Sequence, residues 1–142
     1  MSKNKLSVDY DFGFDLIAIT ASVKEYKLAW MLNRELNLDF SKSENIEIVF
    51  LGDKFMSISN FTSKTEYQLF HLLKNKAENH QEKFNALLIP ELGNFDFFII
   101  VKDESDTFDL NAFLTSIKEI PFVQFAVSIE TATLKSKENL IF

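Results

Sequence analysis

Phenylalanine is the residue that most constrains how this chain can fold. The 142-residue sequence holds 16 phenylalanines but only 3 glycines and 2 prolines, whereas ordinary usage would place glycine near ~7% and proline near ~5%. Each buried ring removes on the order of 150–250 Å² from water, so these rings can fill a dense core. We expect most of them to lie in that core, with a minority available to line a pocket or an interface.

The length of the sequence and its lack of internal divisions indicate one domain. A chain of 142 residues has the commonest size for a single domain and can bury a sizeable core. No linker, repeat or low-complexity segment divides it. We therefore expect a single domain over 1–142, with residues 1–9 frayed.

Charge and cysteine content exclude several classes of partner. The chain has no cysteine, which removes thiol nucleophiles, thiolate zinc sites and disulfides and favours a cytoplasmic location. With 15 basic and 21 acidic residues its net charge is -6, so its average surface repels nucleic acid. We find no apolar run of ~20 residues and no signal peptide, so a membrane partner is not expected either.

The first strand and the first helix are separated by a capping pattern. Residues 14–20 have the length and β-branched content of a buried strand. Ser22 and Glu25 then match a capping box, in which the serine oxygen accepts from a first-turn N–H and the glutamate reaches back. The sequence therefore predicts a helix over 23–36.

This helix carries one apolar stripe, which is typical of a helix laid on a sheet. Tyr26 and Trp30 widen the stripe. Asn37 suits the left-handed residue that commonly ends a helix.

A hairpin signal follows the helix. Two extended runs, 46–51 and 54–61, flank the two-residue turn Gly52-Asp53. The next segment, 65–73, is expected to be a third strand, although its pattern also allows a helix.

The second half of the chain predicts another hairpin, a helix and a last strand. Runs 84–89 and 95–101 flank five residues that contain both proline and glycine. Asp109 can cap a helix whose apolar residues follow the i, i+3, i+4, i+7 spacing, and Pro121 ends it. A strand over 122–129 completes an α+β fold: a single mostly antiparallel sheet, a meander of hairpins, with two helices packed on one face.

The familiar chemistries are missing from the sequence. The three glycines are too far apart for a phosphate-binding loop, and His71 and His80 lack the paired ligands of a zinc site. We therefore predict no metal, no cofactor and no catalytic residue. A lone histidine in an apolar strand, as at His71, is either a general base or a partly buried residue bonded to the backbone.

Two carboxylates stand in unusual places. Asp96 lies in the apolar run 95–101, where an unpaired charge would cost several kcal/mol. It therefore pairs with Arg34 or is satisfied by backbone N–H groups and solvent. Glu91 follows Pro90 and is either a binding residue or a turn residue.

The chain ends on the apolar residues Leu140, Ile141 and Phe142. Such a tail docks on its own domain or contacts a partner. These three residues are therefore interface candidates.

Residues 89–91, Ile-Pro-Glu, followed by Phe-Asp-Phe-Phe at 95–98, resemble the signature of the IPExxVDY family of small bacterial proteins of unknown function. The segments 14–19, 25–33 and 134–142 are similar to that family's beginning, first helix and end. The resemblance thus spans nearly the whole chain.

The chain also departs from that signature. It has Phe-Asp-Phe where the family name implies Val-Asp-Tyr, and three residues rather than two separate Glu91 from Phe95. Because the family has no assigned activity, the resemblance implies no catalytic residues.

Two function classes remain. The first is a non-enzymatic protein-interaction module, with a homodimer as its simplest form. The second is a small-ligand binder or an enzyme of unfamiliar type, in which Glu91, Asp96 and His71, with Tyr26 and Trp30, converge on a Phe-lined pocket.

Overall fold

The computed structural model describes residues 13–49, 54–78 and 86–142. The predicted frayed start at 1–9, the turn Gly52-Asp53 and His80 lie outside these residues. The described part contains eight strands, two α-helices and three short 3₁₀ turns: β1 (Asp15–Ala21), α1 (Glu25–Leu36), β2 (Ser41–Lys42), β3 (Ile46–Val49), β4 (Phe55–Ile58), β5 (Asn60–Lys64), β6 (Gln68–Lys74), a 3₁₀ turn at Pro90–Leu92, β7 (Phe97–Asp103), α2 (Leu110–Lys118), β8 (Val123–Ile129), and 3₁₀ turns at Thr131–Thr133 and Lys137–Leu140.

Six strands form one sheet in the order β2-β5-β6-β7-β1-β8, and each neighbouring pair is antiparallel. The predicted α+β class, with a mostly antiparallel sheet and two helices, is confirmed. The meander extends only from β5 to β7, because β1 is inserted between β7 and β8, and β3 and β4 form a separate two-stranded sheet. No helix of the described residues is long and apolar enough to cross a membrane.

The main sheet is buried on both faces, which explains why β1 is apolar at successive positions. Ile17 and Ile19 contribute to a helix-side core beneath α1 and α2. Leu16 and Ala18 point the other way, into an opposite core closed by β4 and the C-terminal segment. Both helices therefore pack on one face, as expected.

The phenylalanines divide between core and surface. Phe70 stacks on Phe113 with ring centroids 5.6 Å apart, and Phe108 meets Phe70 edge-on at 6.0 Å. In contrast, Phe125 is 56% and Phe142 46% exposed. The fully or nearly fully buried rings are Phe40, Phe61, Phe70, Phe97, Phe98 and Phe113.

The start of α1 differs from the prediction. The helix begins at Glu25, its N-cap is Lys24, and no side chain bonds the cap. The capping box of Ser22 and Glu25 is therefore wrong. The Glu25 carboxylate instead lies 3.8 Å from the ammonium of Lys74 on β6, so the glutamate turns towards the sheet.

The body and end of α1 follow its apolar stripe. Leu28 and Leu32 are buried against the sheet, whereas Tyr26 is 64% and Trp30 55% exposed. The widening of the stripe by these two aromatics is wrong, because they lie on the outer face. Asn37 has φ 57° and ends the helix as predicted, with its N–H bonded to a carbonyl of the last turn.

The hairpin of β3 and β4 is confirmed, with Val49 opposite Phe55. The run 54–61 is divided, however: β4 ends at Ile58 and belongs to the small sheet, and β5 begins at Asn60 in the main sheet. The chain passes from the small sheet to the main sheet at Ser59, and the side chain of Ile58 is buried in the opposite core.

In the ambiguous segment 65–73, residues 65–67 form the tight turn that follows β5, and the residues from Gln68 onward form strand β6. Its residues are buried on both faces of the sheet, and this burial removes the alternation that would have marked a strand in the sequence.

The hairpin predicted from 84–89 and 95–101 is wrong. Within the described part of the first run, only an isolated bridge between Leu87 and Lys76 forms. The second run becomes β7, which pairs with β1 and β6 instead.

The last helix and strand match the prediction closely. The carboxylate of Asp109 accepts a hydrogen bond from the Ala112 N–H at 3.1 Å and caps α2. The helix ends at Lys118, ahead of Pro121, and β8 follows.

Candidate functional site

The candidate site is the outer edge of β8. This strand pairs with β1 on one side and with no other strand of the described residues on its other side. Its seven residues, Val-Gln-Phe-Ala-Val-Ser-Ile, include no charge and no proline. Natural proteins usually protect an edge with charge, proline or shortness, as at the opposite edge, where β2 has two exposed residues, one of them Lys42.

An apolar patch lies beside this edge. Phe125 is 56% exposed and stacks on the half-buried ring of Phe95 at a centroid distance of 5.9 Å. Val127 and Ile129 are partly buried against the opposite core, and alternation along the strand places them on the same face as Phe125. Within the described part of the chain, this edge therefore offers backbone groups that no neighbouring strand pairs, together with an apolar stripe.

One irregularity limits the edge. Thr20 is opposite Phe125 but Ala21 is opposite Val123, so Gln124 is an extra residue in the ladder. Such a bulge bends the strand and interrupts regular pairing. The regular part of β8 is therefore 125–129.

Asp96 lies next to this patch, at the end of the sheet. The residue is exposed; its carboxylate accepts a hydrogen bond from the Ala21 N–H at 2.9 Å, and its own N–H bonds the Ile19 carbonyl. Of the two alternatives from the sequence, backbone groups and solvent satisfy this carboxylate. Arg34 lies on α1, with its Nε 3.9 Å from a Glu35 oxygen.

A cavity of about 400 Å³ opens beside Asp96 and Phe95. Three lysines line it, Lys24, Lys74 and Lys76. Lys74 is paired with Glu25, and Asp96 adds a negative charge to the wall, so the positive potential of the cavity is partly cancelled.

Glu91 connects the 3₁₀ turn at Pro90–Leu92 with the C-terminal segment. Its two carboxylate oxygens accept hydrogen bonds from the N–H and the hydroxyl of Ser136, at 2.7 and 2.9 Å. Partial desolvation raises the pKa of Glu91, but these bonds and backbone donors at Glu91 and Lys135 outweigh it, so the pKa lies below its ordinary value. Glu91 is a turn residue that also holds a second segment.

His71 lies in the middle of β6 and is buried. Its Nδ1 is 3.0 Å from the side-chain oxygen of Asn60, and the ring of Phe142 lies edge-on to it at 5.0 Å. Desolvation, together with the nearby charge of Lys102, lowers the pKa of His71 to about 4. The imidazole is therefore neutral near pH 7.

The structure does not bring the five predicted binding residues together. His71 is opposite Ile100 in the ladder, four residues beyond Asp96, which corresponds to about 13 Å at a strand rise of roughly 3.3 Å per residue. Glu91 is bound to Ser136, and the two exposed aromatics, Tyr26 and Trp30, lie on the outer face of α1. Their binding roles stay predictions.

The C-terminal tail docks on its own domain. Leu140 is fully buried in the opposite core, whereas Ile141 is 45% and Phe142 46% exposed. The Lys102 ammonium lies 5.2 Å from the centre of the Phe142 ring, which covers His71. A role of these three residues in an interface stays a prediction.

Asn75 is a buried residue that the sequence analysis did not single out. Its side-chain NH₂ donates to the carbonyls of Leu92 and Phe95, at 3.1 and 3.0 Å, and its oxygen accepts from the Ile89 N–H at 2.8 Å. An asparagine just after an apolar strand is too common a signal to have revealed this role. It fixes the segment that carries Glu91 and Phe95.

Two carboxylates at the far end of the sheet also escaped the sequence analysis. Burial and the charge of Asp103 raise the pKa of Asp15. The hydroxyl of Ser105, with further donors, lowers the pKa of Asp103 to about 2. Among the described residues, no group of three or more His, Cys, Asp or Glu side chains could hold a metal ion.

Comparisons of this chain with protein-family models, with curated proteins and with solved structures give no match. The resemblance to the IPExxVDY family therefore stays a prediction.

Proposed function

We propose that this protein is a non-enzymatic protein-interaction module that binds an extended segment of protein along the edge of β8. The observation that carries the proposal is this uncharged edge, open within the described part of the chain and adjoining the exposed ring of Phe125. An added strand would gain backbone hydrogen bonds from the edge, and its alternate side chains would contact the apolar stripe.

The partners of the predicted polar residues support binding rather than catalysis. Glu91 is engaged by Ser136, Asp96 by the Ala21 N–H, and His71 by Asn60. Each of these groups contributes to the fold. The alternative, a small-ligand binder or an unfamiliar enzyme that uses all three in one pocket, has less support because these residues occupy different parts of the fold.

The wider setting of this module is also a proposal. The absence of cysteine supports a cytoplasmic location, and the net charge of -6 supports protein rather than nucleic acid as the partner. The similarity at residues 89–98 supports membership of the IPExxVDY family.

A photo-crosslinking experiment tests the proposed surface. A photoreactive phenylalanine analogue is incorporated at position 125 and, as a control, at the exposed position 66 in the turn between β5 and β6. After irradiation in cells that express the full chain, we expect a covalent adduct with a protein at position 125 and none at position 66. The absence of an adduct at 125, or equal adducts at both positions, would contradict the proposal.

A further inference from the structure

The regular part of β8 is self-complementary when it is reversed about Val127. An antiparallel copy of 125–129 places Val127 opposite itself and Phe125 opposite Ile129. Residues directly opposite in an antiparallel pair lie on the same face and contact each other. All three positions on the face of the opposite core then pair apolar with apolar, and the exposed ring of Phe125 gains an apolar neighbour.

The other face of the strand fits the same register. Ala126 is opposite Ser128 of the second copy, so small side chains meet beside α2. The bulged residue Gln124 is opposite Glu130, and both are exposed. A neighbouring register about Ala126 would direct Gln124 and Val123, the irregular part of the edge, into the pairing, so the bulge favours the axis at Val127.

Charge does not oppose this pairing. Each copy carries a net charge of -6, which disfavours random association between copies. The contacting strand, however, carries no charged side chain, so the two copies meet where no charge must be desolvated. Because β8 has no charged side chain, it offers no ion pair to a charged partner strand, whereas an identical uncharged strand matches it.

Building on the function proposed above, we infer that the partner of β8 is a second copy of this chain, paired antiparallel about a twofold axis at Val127. Such an isologous contact uses the same surface on both copies, so assembly stops at the dimer. It joins two six-stranded sheets into one continuous sheet with the helices of both copies on the same side. A contact built on five residues per strand belongs to the small, transient class of interfaces, so the dimer is expected to be in exchange with the monomer.

Disulfide trapping tests the register directly, because the chain contains no cysteine. Opposite Cα atoms in an antiparallel pair lie about 4.5–5.5 Å apart, within the range of a disulfide, whereas diagonal residues lie about 7–8 Å apart. Val127→Cys meets its own copy across the axis. Ser128→Cys, an exposed and nearly isosteric change one residue away, meets its copy only diagonally and is the matched control.

We expect the full chain with Val127→Cys to oxidise to a covalent dimer at least tenfold faster than the chain with Ser128→Cys, at 50 μM protein under mild oxidation. A circular dichroism spectrum matching the unsubstituted protein confirms that each variant is folded. Equal rates, or faster trapping of Ser128→Cys, would overturn the register.

Sedimentation of the unsubstituted protein and crosslinking from position 125 together separate self-pairing from binding of a different protein. If the unsubstituted protein sediments as a monomer up to 1 mM while position 125 crosslinks to a different protein, the self-pairing is overturned and the edge still binds. If neither a dimer nor an adduct forms, both fail.

Discussion

At the scale of single residues, His71 is the group whose chemistry the fold changes most. Its side chain is held between Asn60 and the terminal ring of Phe142, and its pKa is lowered from 6.5 to about 4. From the sequence alone, His71 is either a general base or a partly buried residue. The structure gives the burial, while the covering ring comes from the far end of the chain and could not be inferred from local sequence.

His71 makes the stability of the protein depend on pH in a defined window. The unfolded chain binds a proton below about pH 6.5, whereas the folded state does so only near pH 4. The stability of the folded state that depends on a neutral His71 is therefore fully present above pH 6.5 and is lost as the pH falls towards 4. We expect His71 to cost the protein about 2 kcal/mol of unfolding free energy between pH 7 and pH 5.

Urea unfolding at the two pH values measures this effect. In His71→Gln the side chain can still bond Asn60 but does not titrate, so the pH-dependent loss should be smaller than in the unsubstituted protein by that amount. An equal loss in both proteins would show that the pKa of His71 is not lowered.

At the scale of elements, local patterns predicted those elements that local interactions define. The left-handed Asn37, the Asp109 cap and the last strand follow from residue type and spacing. The predicted second hairpin failed because β7 is a central strand. Its neighbours are β1, which is distant in the sequence, and β6, rather than the run just before it. Sequence spacing carries no information about such pairing.

The capping box failed for a related reason. Ser22 and Glu25 have the right spacing, but the helix begins at Glu25 with Lys24 as its N-cap, and the glutamate lies near Lys74 on β6 instead. The exposed edge was also hidden: the last strand was predicted, but nothing in its sequence says that β1 is its only neighbour in the described sheet. The site therefore depends on topology more than on the residues that looked unusual.

The segment before β7 is held as an element by Asn75, and this yields a stability prediction. Asn75→Ala leaves two carbonyls and one N–H of that segment without their side-chain partner. Because buried unpaired groups cost about 1–3 kcal/mol each and relaxation or water recovers part of this, we expect a total loss of about 3 kcal/mol in unfolding free energy by urea denaturation.

Asn139→Ala is the matched control. Its side chain donates a single hydrogen bond, to the Leu88 carbonyl at 2.9 Å, in a half-buried site, so the expected loss is about 1 kcal/mol. If both variants lose the same free energy, Asn75 does not hold the segment as described.

At the scale of the whole molecule, the two edges of the sheet differ in kind. One ends in the short, lysine-bearing β2 and the other in the uncharged β8 with its exposed aromatic ring. Most of the described phenylalanines lie in the two cores, whereas the exposed ring of Phe125 lies at the unprotected edge. Because of this asymmetry, an added strand is expected to pair with the β8 edge of the sheet rather than with the β2 edge.

Sedimentation velocity tests this account most directly, with the unsubstituted protein compared with Phe125→Lys and the conservative Phe125→Leu. Lysine on an edge is a natural device against pairing, and the exposure of Phe125 lets the domain fold with either residue. We predict a concentration-dependent monomer–dimer equilibrium for the unsubstituted protein, one weakened less than threefold by leucine, and a monomer up to 500 μM for Phe125→Lys with little change in melting temperature. A dimer of equal strength in all three proteins, or a strict monomer in all three, would contradict self-association through β8.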